Sequence, residues 1–546
     1  GNYCLHRQTE RRNPVLKLIL RLFGFLCSTG LLVFLNACTM VGPDFTPPKA
    51  DLAPEWAESG DGRVHKEFPE YKTWWRVFDD PILESLVKTA YEQNLPLQIA
   101  GVRVLEARAL LGVVAGEFYP QSQIGFGGLE YNRISGNSID VWNPGQDNPG
   151  FGYTRGNLGV GASWEIDFWG KFRRAIQSAD ANLLASVAAY DNVLVSLTAD
   201  VARTYVVIRV YEDRLRIARE NIILQEEGLR IARARFNAGD TSERDVQQAI
   251  TLLASTQARI PFLETGLRKA QHALSILLGM PPGRLRDRLE GDRGIPRAPL
   301  DIAVGIPAEL LRRRPDIRNA ELQAASQCAL IGVAEADLYP SFSLSGSFGF
   351  AATNIGGASV GDIFNWNSRI ATFGPTFQWN ILNYGRITNN VRVHDARLQS
   401  LIIIYQDTVL RAQQEVEDGL VEFLKAQERI GFLKKSVHAA GRSADLALMQ
   451  YRGGSADYTT VILAQQSLLG EQDRLAATQG ELPLGLVSVY RALGGGWQIR
   501  EGNPFVPEDV KSIMMKRTNW GDLLTAPLDL PPAPGTEKSV LRGPDW

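Results

Sequence analysis

Histidine and cysteine are scarce in this chain, and their spacing removes several kinds of chemistry. The five His stand at 6, 65, 272, 394 and 438, no two near enough in sequence to suggest a local metal site. The four Cys (4, 27, 38 and 328) form neither a CxxC pair nor a zinc spacing. Two of them lie in or before an apolar segment expected to be removed, which leaves Cys38 and Cys328, too few for a disulfide framework. An excess of either charge is missing too. The 58 Lys and Arg against 60 Asp and Glu give a net charge of −2, so no basic surface is implied and no nucleic-acid partner is expected. The run Gly125-Phe126-Gly127-Gly128 opens no helix and carries no Lys, which excludes a phosphate loop. His272 and His394 fall on helical runs, where packing or surface roles are the usual ones. No catalytic set, metal site or cofactor is expected, and the chain does not read as an enzyme.

Long apolar runs are limited to one, near the start. Residues 1–16 are polar and basic and read as an extension. Lys17 and Arg21 then flank Leu22 to Leu35, which ends in Leu35-Asn36-Ala37-Cys38. A basic region, a short apolar run and small residues before a cut make a signal peptide, too short for a comfortable membrane-spanning helix. The ending resembles a bacterial lipobox in which Cys38 becomes the lipid-bearing first residue. Met40, standing where Asp would resemble an inner-membrane retention signal, favours the outer membrane. The residues that follow (TMVGPDFTPP) read as an extended, proline-stiffened tether.

What the chain does have is a duplication. Trp164 to Gly170 (WEIDFWG) recurs 215 residues later as Trp379 to Gly385 (WNILNYG), and the register then holds without a gap. Ile176 answers to Val391, Tyr190 to Tyr405, Phe236 to Tyr451, Gly239 to Gly454 and Gly279 to Gly494. Two copies of one design are implied. Each opens with a helix (about Leu97 to Glu117, and Ile317 to Asp337) that stops at Tyr-Pro. In each, period-two segments follow: 123–131 and 158–168 in the first, 341–350 and 371–381 in the second. Apolar residues alternate there with Ser, Thr, Asn and Gly. Their length suits tilted strands crossing a bilayer, with a wet opposite face, although an ordinary half-buried sheet shares the pattern. The residues placed toward lipid are Trp164, Ile166, Phe168, Phe373, Phe377 and Trp379. Four strands cannot close a barrel, and lipid tolerates only closed ones, so a membrane reading requires an oligomer; three copies would supply twelve strands.

Long helical runs complete each copy. A stripe from Ile176 to Ile222 repeats near 3.5 residues per step, a coiled-coil pattern. The run reverses at Gly239, a left-handed cap, and returns to Gly279; the second reverses at Gly454 and returns to Gly494. The organisation is therefore 1–37 extension and signal peptide, 38–94 tether and first helix (Asp80 capping it before Pro81), and 95–280 first repeat. A connector at 281–315, the second repeat at 316–497 and a proline-rich tail at 498–546, expected to be extended or disordered, complete it. The hairpins lie at 121–168 with 171–279, and at 341–381 with 386–494.

On LNAC-T-M-VGPDF at 35–45, WW..F.D..L at 74–83, LLRRRPDI at 310–317, QEVEDGL at 414–420 and ALGGGW at 492–497, the chain resembles the OprM/TolC-like outer-membrane factors of tripartite efflux systems, specifically their NodT-type lipoprotein branch. The resemblance spans nearly everything from Cys38 to Trp497. It implies an α+β membrane protein: a homotrimer whose twelve-stranded β-barrel, four strands per chain, sits in the outer membrane above a long periplasmic α-helical barrel. It implies a periplasmic adaptor (membrane fusion) protein and an inner-membrane RND pump as partners, meeting the tips around Gly239 and Gly454, with drugs or other small toxic compounds leaving passively through the lumen. It makes Asp245, beside Arg244, the tether carboxylate of the first hairpin. A solvated charge in the first turn of a helix is the plainer reading of Asp245. The second hairpin departs from the pattern, with Thr459 and Leu463 where relatives carry Leu and Asp. There Leu463 would gate by dewetting, and Asp457 is placed to substitute as the acid. Alternatives are a type I protein-secretion channel and, in a different class, a periplasmic coiled-coil scaffold.

Overall fold

The computed structural model describes residues 40–67, 70–135, 151–283, 294–309 and 313–528, with Leu285, Leu289 and Leu530. Cys38, the signal peptide and residues 531–546 lie outside the described residues.

The first helix begins where its cap signal places it. A 3-10 turn at Trp74–Phe78 ends on Asp79 in the left-handed region, and only then does α1 (Pro81–Gln93) begin. Asp80 caps it by accepting from Ile82 and Leu83. The other Asp80 oxygen accepts the Tyr205 phenol at 2.7 Å. Burial pushes that phenol up to about 12, Asp80 adding to the shift, so Tyr205 stays a donor. Leu83, Leu86, Val87 and Ala90 are buried against the long helix of the first repeat.

Each repeat then gives a helix, two strands and two long helices. In the first these are α2 (Leu95–Gly116), β2 (Ser122–Ile134), β3 (Phe151–Ile166), α3 (Lys171–Asn237) and α4 (Glu243–Leu277). In the second they are α5 (Pro315–Ala336), β5 (Ser341–Thr353), β6 (Arg369–Gln378), α6 (Arg386–Arg452) and α7 (Tyr458–Ala492). The rods agree in length: α3 and α6 have 67 residues each, α4 and α7 have 35 each. At 1.5 Å per residue, 67 residues make a rod of about 100 Å.

The four main strands form one antiparallel sheet, β2-β3-β5-β6, with β2 and β6 as open edges. Register decides the faces. Ile166 pairs with Phe342, Trp164 with Leu344, Val160 with Phe348 and Leu158 with Phe350, while Ser163 faces Ser345 on the other side. Strand ends differ from the sequence reading. β3 stops at Ile166 and β6 at Gln378, so Phe168 and Trp379 lie just past the strands rather than within them. Phe168 is half-buried against Trp169 and Phe342. Three 3-10 turns between 355 and 368 fold the loop after β5, with Val360 against Gly156.

Two further corrections concern the ends. Between the repeats, β4 (Ile302–Ala303) pairs in parallel with β1 (Val64–His65), which ties the connector to the N-terminal segment. Among the described residues beyond Trp497, from 498 to 528, the chain is packed rather than extended. Val506, Met514 and Leu524 are buried, Phe505 stands edge-on to Tyr190, and α8 (Glu508–Arg517) caps the segment. The apolar spacing there is too sparse for a periodic signature, yet one clamp holds it: Arg500 pairs with buried Asp191 through two contacts of 2.5 and 3.0 Å. Arg108 adds bonds to the carbonyls of Leu523 and Ala526.

Candidate functional site

Two places collect the sequence-predicted residues, the helical tips and the joint between sheet and rods. At the tips the turns are built alike. Gly239 and Gly454 have φ of 81° and 78°, and the next residues, Asp240 and Ser455, donate back to Arg235 and Gln450 at 2.9 Å. That left-handed conformation is open to glycine at little cost, which is why the reversal falls there in both copies.

Asp245 sits in the first turn of α4, but it is not solvated: its residue is 3% exposed. Its Oδ2 accepts the Thr241 hydroxyl at 2.5 Å, and Arg244 lies 3.7 Å from Oδ1. Across the hairpins, the Tyr451 phenol of the second hairpin lies near Thr241 and Asp245 of the first, its buried hydroxyl making no hydrogen bond among the described residues. Tyr451 packs edge-on to Tyr458 at 5.0 Å, and the Arg235 guanidinium covers its ring at 4.7 Å while donating to its carbonyl. Burial pushes both phenols up, so both remain protonated. Leu229, Ala232, Val246 and Val461 close the cluster.

The other aperture residues are not part of this cluster. Asp457 is exposed and caps α7, accepting from the Thr460 amide at 3.2 Å and its hydroxyl at 3.1 Å. Thr459 is half-buried, and Leu463 is 63% exposed on one protomer. Sequence reasoning missed Arg235, Thr241, Tyr451 and Tyr458. A mismatch between copies marks them: Tyr458 opens α7 where the first repeat has Glu243, and Tyr451 stands where it has Phe236.

At the joint, Trp164 donates its indole N–H to the Phe118 carbonyl at 3.2 Å, and Trp379 donates to Leu338 at 3.0 Å. Both bonds tie a strand's base to the end of the helix that precedes the hairpin. Trp169 repeats the device with Pro340 at 2.8 Å and stacks on Tyr339. Gly170 and Gly385, at φ of 79° and 81°, turn the chain out of the sheet into the rods. Asp167 caps α3 by accepting from Phe172 and Arg173. Ile166, Phe373 and Phe377 are exposed on the apolar face. Among the described residues no helix is long and apolar enough to cross a membrane. Among them also, no group of three metal-ligating side chains assembles.

A sheet with two open edges, an apolar outer face and paired rods of this length defines a channel-forming membrane protein. The family model described as outer membrane efflux protein matches residues 86–280 and 306–495, and the chain belongs to that family. It is 30% identical to nodulation protein T of Rhizobium leguminosarum bv. trifolii over 85% of this chain and 96% of that protein. It is also 30% identical to the pyoverdine export outer membrane protein OpmQ of Pseudomonas putida, over 87% of this chain and 97% of that one. Among solved structures, the outer-membrane channel OprN superposes with a TM-score of 0.77 at 32% identity, covering 84% of this chain and 99% of that chain. The fold is thus the trimeric one of these channels, a twelve-stranded barrel continued by an α-helical barrel, and the protein is an outer-membrane channel of a tripartite efflux system. The free-standing scaffold reading falls with that result.

Proposed function

We propose that three copies form a passive exit duct, anchored by lipid at Cys38, that takes small toxic compounds from a periplasmic adaptor and an inner-membrane RND pump. The tips around Gly239 and Gly454 are the surface offered to the adaptor. The observation that carries the reading is the cluster at the tips, where Arg235 of the first hairpin covers the Tyr451 ring of the second and donates to its carbonyl beside buried Asp245, because it joins the two hairpins at the end of the duct that must open. Losing Asp245 removes the buried acceptor of the Thr241 hydroxyl, so the packing that joins the hairpins loosens without it. Leu463, presented by α7 beyond this cluster, narrows the lumen and sheds water from it. Trp164, Ile166, Phe168, Phe373, Phe377 and Trp379 form the lipid-side belt.

The test is single-channel recording of purified trimers in planar bilayers. Asp245→Ala and Leu463→Ser are each expected to raise conductance over the unsubstituted channel. If both leave it unchanged, the tips are not the constriction. For the anchor, labelled palmitate should appear on the protein and vanish in Cys38→Ala.

A further inference from the structure

We propose that residues 40–44 are a latch that fixes the lipid of Cys38 to the base of the barrel, and that its acyl chains lie in an apolar depression on the outward face of the sheet. The inference rests on the lipid-anchor reading above. Its first ground is how tightly the start of the described chain is held. Arg174, whose side chain is only 4% exposed, donates through Nε to the Val41 carbonyl at 3.0 Å and through a terminal nitrogen to Gly42 at 2.9 Å. The remaining terminal nitrogen lies 3.0 Å from Asp44. Val41 donates its own N–H to the Trp169 carbonyl at 3.0 Å. Gly42, at φ of 86°, lies on Gly332 so closely that a Cβ on either would strike the other's backbone or its neighbour's. A buried guanidinium with three partners on a five-residue stretch is a built receptor for that stretch, not a chance contact.

The latch also has a definite place. Met40 packs on Gly170, at the end of β3, and Cys328 and Gly332 belong to the helix that leads into β5. Cys38 is two residues from Met40, a reach of about 7 Å at most. The lipid therefore enters the bilayer beside the bases of β3 and β5.

The second ground is what those two strands carry just above. Ala162 and Gly346 pair directly and form the floor of a depression, with Val160 and Phe348 above and Trp164 and Leu344 below. Its volume is about 720 Å³. Every side chain named here shares the apolar face. From Ile166 to Ala162 the strand climbs about 13 Å at 3.3 Å per residue. One leaflet's hydrocarbon is about 15 Å deep, half of a 30 Å core. An acyl chain leaving the joint thus reaches the depression along its length. Tethering favours this chain over bulk lipid, since a linked ligand meets its site at a high effective concentration.

The experiment places photoreactive p-benzoylphenylalanine at position 162, irradiates outer membranes containing heat-modifiable trimers, and reads adducts by peptide mass spectrometry. An adduct joining the position-162 peptide to the lipid on the Cys38 peptide is expected. Most of it should be lost in Arg174→Lys, which keeps the charge but not the three-way grip. Lipidated Cys38 with adducts to phospholipid alone overturns this inference and leaves the anchor reading intact. A bare Cys38 thiol overturns the anchor reading and this one with it. An adduct undiminished in Arg174→Lys removes the latch.

Discussion

At the level of single residues, the indoles of Trp164 and Trp379 do two jobs at once. Each ring adds apolar surface at the joint while its N–H holds a helix-end carbonyl, so strand and helix cannot separate without breaking that bond. Trp164→Phe and Trp379→Phe keep the ring and lose the donor. Each is expected to cost about 1 kcal/mol per protomer and to lower the temperature at which trimers dissociate on gels. An unchanged dissociation temperature would show that the indole N–H groups are not holding the joint. The tip residues are held differently, since Asp245 is buried and accepts from Thr241 of its own hairpin, near Tyr451 of the other. Asp245 was legible as a position because the family resemblance pointed to it. Its burial was not, because Tyr451 comes beside it through folding and not through spacing.

At the level of elements, period and punctuation carried most of the information. Alternation over 158–168 and 371–381 announced strands, and glycines at 239 and 454 announced reversals, because each rule acts within a few residues. The ends of β3 and β6 were read two or three residues late, since Trp and Phe continue the apolar alternation past the last ladder bond, and those of β2 and β5 three residues early. The segment after Trp497 was misread for a different reason. It holds its place through Arg500 on Asp191 and through three scattered buried side chains, contacts more than 300 residues apart in sequence for the ion pair. Burial pushes the Asp191 carboxyl up against the pull of Arg500, so the pair stands or falls together. Arg500→Ala is expected to cost about 3–5 kcal/mol by leaving that carboxylate buried and alone. Arg500→Ala with Asp191→Ala should recover part of it, as thermal unfolding in detergent would report.

At the level of the whole molecule, the packing order leaves two flanks at which copies can meet. Near the membrane the helices run α2–α3–α5–α6, and toward the tips α4–α3–α7–α6. One flank is thus β2, α2 and α4, and the other is β6 and α6. The second flank carries exposed Ile403, Leu410, Val421 and Phe432, spaced by whole helical turns, and the first carries Leu95, Ile99, Leu110 and Phe262. Phe262 stands roughly 34 Å from the Gly239 turn and Phe432 roughly 33 Å from the Gly454 turn, counted at 1.5 Å per residue. Phe262 of one copy therefore lies level with Phe432 of the next. Phe262→Cys together with Phe432→Cys should give oxidised, covalently linked trimers, while either change alone should not. Intact trimers without linkage in the double variant would reject this pairing.

Equal rods have a mechanical consequence. Because α3 and α6 match residue for residue, both hairpins reach their turns at one depth, and three copies present six teeth in a single plane. Such a rim divides an axial load evenly and offers neighbouring teeth that differ in chemistry, Asp240 against Ser455, but not in height. A body seated on it can therefore turn by one tooth without tilting, and only the side chains tell it which seat it has taken.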